Sequence, residues 1–505
     1  MNSETIQSIA KELHQEQVKY SKLNWALFTT GDDFGVKDQY HNIMEILKDQ
    51  SKFEAIDTYK RKDLPAEEAR KAEIMYNSFK PFHLSDELNE LNVKIQEKTN
   101  ELSKILNTFR YKLDGKEVSA VELSQVLSMD PDREKRKRAY FARNQINELM
   151  VESGFVELVQ LRKEFAEKYG AKDYVAYKLE ANELNPDTFD SWLDELHELL
   201  PKMKEGRQKY AQKFLGESEI MPWDESYIQS KIAPSLNQTV DMSEYHEHLT
   251  ELFNRFGIDL AGMNITYDIF PRNNKSEWGY NFPVETGKDS RILANVKNRY
   301  YEYGVLLHES GHGAHSFLND PNELILNNGI SGIVSEGIAN LFQSFLYSRS
   351  FFEKFFEDPD QAEQEFQELK EYSKLNALRS IGRIFFDHSL YKNDIQSLDD
   401  IYELYWKNHK EVLQEDPFGE APPWAFIIHF TTHPIYMHNY FMGDVTCEML
   451  KQVFKERTGG EIMDYPKAFG EFLLNEVIKP SGRYKYNELF KRISGEEFSL
   501  RFMID

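Results

Sequence analysis

A single cysteine, Cys447, stands in 505 residues. No disulfide can form within one chain, and a reducing, cytoplasmic setting is expected. No stretch approaches the roughly 18 uninterrupted apolar residues of a membrane-spanning helix. The opening residues, Met1-Asn2-Ser3-Glu4-Thr5, lack the basic and apolar segments of a secretory signal. Positive charge is in short supply: 61 Lys and Arg against 85 Asp and Glu give a net charge of −24. That balance disfavours nucleic acid and anionic membrane as partners. Neither a G-x-x-x-x-G-K-[ST] phosphate loop nor a G-x-S-x-G elbow occurs, which removes the usual cues for nucleotide binding and serine hydrolysis. Repeats and low-complexity linkers are also missing, and nothing in the sequence sets the oligomeric state.

Aromatic residues, by contrast, are plentiful, with 35 Phe, 27 Tyr and 6 Trp. Such a chain can bury a core, so disorder is excluded. Most of it reads as long amphipathic helices. Ser85 is a predicted N-cap for a helix to about Leu106, with Leu88, Leu91, Val93, Ile95, Leu102 and Ile105 at mostly three-to-four spacing. Further helices are predicted over Pro131–Met150, over Phe155–Tyr169 before Gly170, and over Pro186–Phe214 after Asn185. Asp114-Gly115 signals a small β-hairpin. The break at Gly216–Trp223 places a division there. It separates a helical N-terminal lobe, residues 1–218, from a catalytic lobe, residues 219–505.

The most informative run is His308-Glu309-Ser310-Gly311-His312. Two imidazoles four apart on a helix lie one turn apart on the same side, so both reach one metal ion. A glutamate directly after the first histidine sits beside that ion, placed to take a proton from the attacking water. His308 and His312 are therefore expected zinc ligands and Glu309 the general base. The apolar run before them and the small Gly311, Gly313 and Ala314 after them predict a buried helix.

Glu336 is the expected third ligand. It is the only ionisable group in the apolar stretch Gly332–Phe342. A lone carboxylate on a core helix is costly without a cation. A loop rich in helix breakers, residues 319–329, would let that helix return to the histidines. Two His and one Glu leave the fourth zinc position open for water, the catalytic arrangement.

Two other segments stand out. Arg291–Val296 reads as a short strand ahead of the motif helix. Trp424–Tyr440 carries three histidines and two tyrosines in its last twelve residues. His429 and Tyr436 are seven apart, and Tyr440 follows Tyr436 by one helical turn. A phenol is neutral at pH 7 yet can share its proton with an oxyanion. Pro434 interrupts a helical register between them. His246-Glu247-His248 is read as a solvated face, since residues two apart on a helix point away from each other.

With these residues in view, His308-Glu309-Ser310-Gly311-His312-Gly313-Ala314-His315 resembles the H-E-x-G-H-x-x-H signature of the thimet oligopeptidase and oligoendopeptidase F family, zinc oligopeptidases of the gluzincin group. Glu336 lies 28 positions after His308, which suits that family. It also suits angiotensin-converting-enzyme-like peptidases, which usually lack a counterpart of His315. The carboxypeptidase Taq family is a further relative. Its usual H-E-S-Q-S segment is absent, and Val334-Ser335-Glu336-Gly337 stands in its place.

The family resemblance implies a mostly α, two-lobed helical zinc-peptidase fold around a deep channel, with a small β element next to the active site. It implies Zn2+ as cofactor and hydrolysis of short oligopeptides as activity. It makes the strand before the motif helix the edge on which peptide backbone adds. It gives His429, Tyr436 and Tyr440 the role of hydrogen-bond donors to the carbonyl oxygen. Asn340 departs from the Asp that some gluzincins place one turn after the glutamate ligand. Alternatives are an angiotensin-converting-enzyme-like peptidyl dipeptidase or a metallocarboxypeptidase. Further off stand a zinc hydrolase of a non-peptide bond and a non-enzymatic scaffold. Endo- versus exo-action, peptide preference, and which of His429, His433, His438, Tyr436 and Tyr440 faces the zinc are not set by the sequence.

Overall fold

Helices carry most of the chain, from Ser3–Thr30 at the start to the 34-residue helix Pro359–Lys392. The structure is a computed structural model and describes residues 3–276 and 279–504. Ser85 caps Asp86–Thr108 by accepting from the Leu88 amide, as the sequence predicts. Phe155–Tyr169 also forms and stops at Gly170. Two predicted helices are broken. The first runs Arg133–Ala142 from an Asp132 cap, then tightens through Arg143–Ile146 before Asn147–Glu152. The second opens with the single turn Pro186–Phe189 and restarts at Trp192–Leu215. Among the described residues no helix is long and apolar enough to cross a membrane.

Strands are few. Tyr111–Leu113 (β1) pairs antiparallel with Lys116–Val118 (β2). The turn between them holds Asp114 and Gly115 at φ 50° and 78°, the left-handed pair of a tight hairpin turn. Ile265–Asp268 (β3), Tyr280–Glu285 (β4) and Asp289–Leu293 (β5) form a second sheet in the order β3-β5-β4. The strand predicted over Arg291–Val296 is β5, but it is not an edge. It pairs parallel with β3 on one side and antiparallel with β4 on the other. Side-chain alternation marks a strand without naming its neighbours, so its central place was not legible.

The chain divides into two units, and not at residue 218. Unit 1 joins Met1–Leu84, Leu236–Glu357 and Met442–Phe498; unit 2 joins Ser85–Ser235, Asp358–Phe441 and Ser499–Asp505. A break in helical pattern marks a turn, but it does not say which segments pack together. Ile6, Ile9, Ile56 and Phe79 share one core with Ile325 and Leu326 from far along the chain. In unit 2, Phe155 packs on the buried Trp424 at 4.8 Å between ring centroids. There the buried Arg136 and Asp224 pair at 2.8 Å.

In unit 1 the helix Glu302–Leu318 carries the H-E-x-x-H motif and lies between the sheet and the return helix Gly332–Gln343. Its small residues explain how closely it packs. A Cβ on Gly311 would sit 3.0 Å from the Ala339 Cα and 3.2 Å from Phe342. Any side chain there would push the return helix, and Glu336 with it, away from the histidines.

Candidate active site

Each histidine of the motif is held from behind. His308 Nδ1 lies 3.2 Å from Gln343 Oε1, and His312 Nδ1 lies 2.9 Å from Ser335 Oγ. An amide oxygen can only accept, so it fixes the proton of His308 on Nδ1. The two Nε2 atoms are thereby turned to a common side, with the rings 4.8 Å apart and nearly perpendicular. Ser331 caps the return helix through the Ile333 amide, and one turn on that helix brings in Glu336. His308 Nε2 is 3.7 Å from Glu336 Oε2, and His312 Nε2 is 3.8 Å from Glu336 Oε1.

These separations are too long for hydrogen bonds. They are near the roughly 3.3 Å expected between ligands placed about 2.0–2.1 Å from one zinc in a tetrahedron. One donor atom from each of His308, His312 and Glu336 lies within 4.8 Å of the others. Electrostatics point the same way. Burial lowers the pKa of His308, and burial with the His308 and His315 rings lowers His312 to about 3, so both imidazoles are neutral donors. Burial raises the Glu336 carboxyl above its usual value. Burial and the Glu336 charge push Glu309 up to about 7. Among the described residues no Lys or Arg lies against either carboxylate to offset that cost. Two neutral imidazoles and a carboxylate short of a cation suit zinc.

Glu309, on the motif helix, is half-buried and faces the start of β4. A Cβ on Gly279 would lie 3.7 Å from Glu309 Oε1. His315 is buried and is not part of the group; burial lowers its pKa to about 4. Ser310, inside the motif, shares a hydrogen bond of 2.9 Å with Tyr267 on β3, which fastens the helix to the sheet. The solvated reading of His246-Glu247-His248 holds for His246 and Glu247 but not for His248. His248 is buried and lies 2.9 Å from the Tyr303 hydroxyl, because residues two apart face opposite sides.

His429, Tyr436 and Tyr440 belong to unit 2 and come together there. His429 stacks on Tyr436 at 5.9 Å and meets Tyr440 edge-on at 5.7 Å; the two phenols are 5.3 Å apart. Both tyrosines are exposed, whereas His438 is buried. The turn that presents them is pinned. Arg162 donates to the carbonyls of Thr431 at 2.7 Å and Thr432 at 3.3 Å, and the Ile435 amide donates to Asp387 Oδ2 at 2.7 Å. Ile435 has φ 57°, a left-handed conformation that is rare for a β-branched residue. Backbone strain of this kind persists where surrounding bonds over-determine it, often at functional sites. His429 Nδ1 lies 3.2 Å from the His433 carbonyl and must donate to it, which leaves Nε2 without a proton in the neutral ring. The phenols are therefore the better donors of the three.

Sequence reasoning missed Ser335, Gln343 and the buried supports Arg162 and Asp387. The first two lie on the Glu336 helix, Ser335 as its immediate neighbour and Gln343 two turns further on, and could have been found from their closeness to it. The other two are distant in sequence and carry no local signal.

An H-E-x-x-H helix with a glutamate from the next helix facing both imidazoles defines a gluzincin-type metallopeptidase. Comparison with known proteins agrees. Residues 126–505 match peptidase family M3, and the chain belongs to that family. It is a zinc metalloendopeptidase that hydrolyses oligopeptides with metal-activated water. No curated protein matches the chain. Among solved structures, the M32 carboxypeptidase from Deinococcus radiodurans R1 is similar over 99% of this chain and 97% of its own, with TM-score 0.64 and 15% identity. The carboxypeptidase of Pyrococcus furiosus is similar over 100% and 98%, with TM-score 0.67 and 14% identity. At such identity these likenesses show a shared fold.

Proposed function

We propose that His308, His312 and Glu336 hold the zinc, that Glu309 is the general base, and that Tyr436, with Tyr440 and His429, stabilises the carbonyl oxygen. The observation that carries this reading is the convergence of two back-braced imidazoles and an uncompensated carboxylate in unit 1. Zinc bound there would supply Lewis acidity, lowering the pKa of water toward about 7 and polarising the scissile carbonyl. Glu309 takes the proton of the attacking water and delivers it to the departing amine. Its carboxyl, raised by burial, is matched to both halves of that transfer. The phenols donate to the oxygen as negative charge develops on it. β4 ends its sheet and begins next to Glu309, so its backbone is the proposed support for extended peptide, in place of β5. A cytoplasmic setting belongs to the same reading, since the one cysteine, Cys447, is free and buried.

The test is mass spectrometry of a mixed peptide pool digested with and without chelator. Internal cuts in short peptides that stop when metal is removed are expected. Release of single C-terminal residues alone would replace this reading with a carboxypeptidase, and cleavage undiminished by chelator would end it.

A further inference from the structure

The return helix Gly332–Gln343 is backed by the helix Met437–Thr458 at unusually short range. A Cβ on Gly337 would lie 2.7 Å from Thr446 Cγ2, and one on Gly443 would lie 2.9 Å from Glu336 Cβ. The two backbones touch directly behind Glu336 because glycine stands on both sides. That contact brings Asp444 beside Asn340, whose Nδ2 donates to Asp444 Oδ1 at 2.9 Å. Asn340 also lies beside the His308 ring. An amide that gives its NH2 to a carboxylate has only its oxygen left to offer an imidazole N–H.

From this geometry we propose that Asp444 is a positioning residue for the zinc ligand His308, acting through Asn340. The inference rests on the zinc reading of His308, His312 and Glu336. The carboxylate fixes the orientation of the Asn340 amide, so that its oxygen joins Gln343 Oε1 in accepting from His308 Nδ1. The Nε2 lone pair is then committed to the side of Glu336 and His312. Hydrogen bonds in series polarise one another, so the Asp444 carboxyl oxygen strengthens the amide oxygen as an acceptor and makes His308 a more basic ligand. Asn340 stands where a carboxylate is expected one turn after Glu336. A carboxyl group stands one hydrogen bond back, on a residue 104 positions further along the chain. His312 has no such support, since its Nδ1 partner is the Ser335 hydroxyl.

The experiment is zinc affinity of the full chain by competition with a chromophoric chelator, with the melting temperature of each zinc-free protein measured alongside. Asn340→Ala and Asp444→Asn are each expected to weaken zinc about tenfold, the lower end for groups that orient a ligand histidine. Their zinc-free melting temperatures should match that of the wild type. The exchange Asn340→Asp with Asp444→Asn keeps one amide and one carboxylate in contact and sets the acid against His308. It should recover affinity to within about threefold, a recovery that a merely structural role would not give. Wild-type affinity in Asp444→Asn, or an exchange variant no tighter than Asp444→Asn, overturns the proposal. Should Asp444→Asn fail to fold, the exchange variant decides alone: wild-type affinity supports the proposal and tenfold weakening refutes it. Failure of the underlying zinc reading looks different, because the His308→Ala variant would then keep its zinc.

Discussion

Glu309→Gln is expected to retain zinc and to lose about 10²–10⁴-fold in kcat, the usual worth of a positioned general acid or base. Glutamine has the same shape, so the helix and its packing against Ala339 and Phe342 are undisturbed. What disappears is a carboxylate able to take a proton. Glu309 is next to His308 in sequence, yet it belongs to neither the ligand group nor the hydrogen bonds that brace it. Loss of turnover with full zinc occupancy therefore separates proton transfer from metal binding. The check is kcat on a quenched fluorescent peptide together with zinc content of the same sample. Activity near wild type would remove Glu309 from its role.

The second large effect is at Tyr436. Tyr436→Phe should lower kcat by about 10²–10³-fold, as the loss of one oxyanion donor does. KM should change far less, because the hydrogen bond strengthens only as the oxygen becomes anionic. Stability should hardly move, since Tyr436 is 42% exposed and only its hydroxyl is removed. His429 is no substitute, as its Nδ1 proton is committed to the His433 carbonyl. Steady-state kinetics of the variant decide the matter. Turnover within about threefold of wild type would mean that the oxyanion is stabilised by other groups.

The contrast between these residues explains what was legible in the sequence. His308, Glu309 and His312 lie within one helical turn and a half, so spacing alone predicts their shared face. Glu336 was visible as a single charge in an apolar helix, and the structure brings it to the two imidazoles. The tyrosine segment was visible only as composition. Pro434 hid its register, and nothing announces that Ile435, a β-branched residue, takes φ 57°. Its supports come from Arg162 and Asp387, far along the chain. β5 was recognised as a strand but not as a central one, because alternation records burial and not neighbours. The two units escaped for the same reason. A local break near Gly216 says nothing about residues 1–84 sharing a core with Ile325 and Leu326. Asp444 is the extreme case, since its link to the site depends on glycines in two helices that only the fold brings together.

The most direct measurement is zinc content per chain by elemental mass spectrometry, for wild type and for His308→Ala, His312→Ala and Glu336→Ala. One zinc per wild-type chain, with occupancy lost in each variant, is the result expected. Full retention of the metal by all three variants would contradict the account.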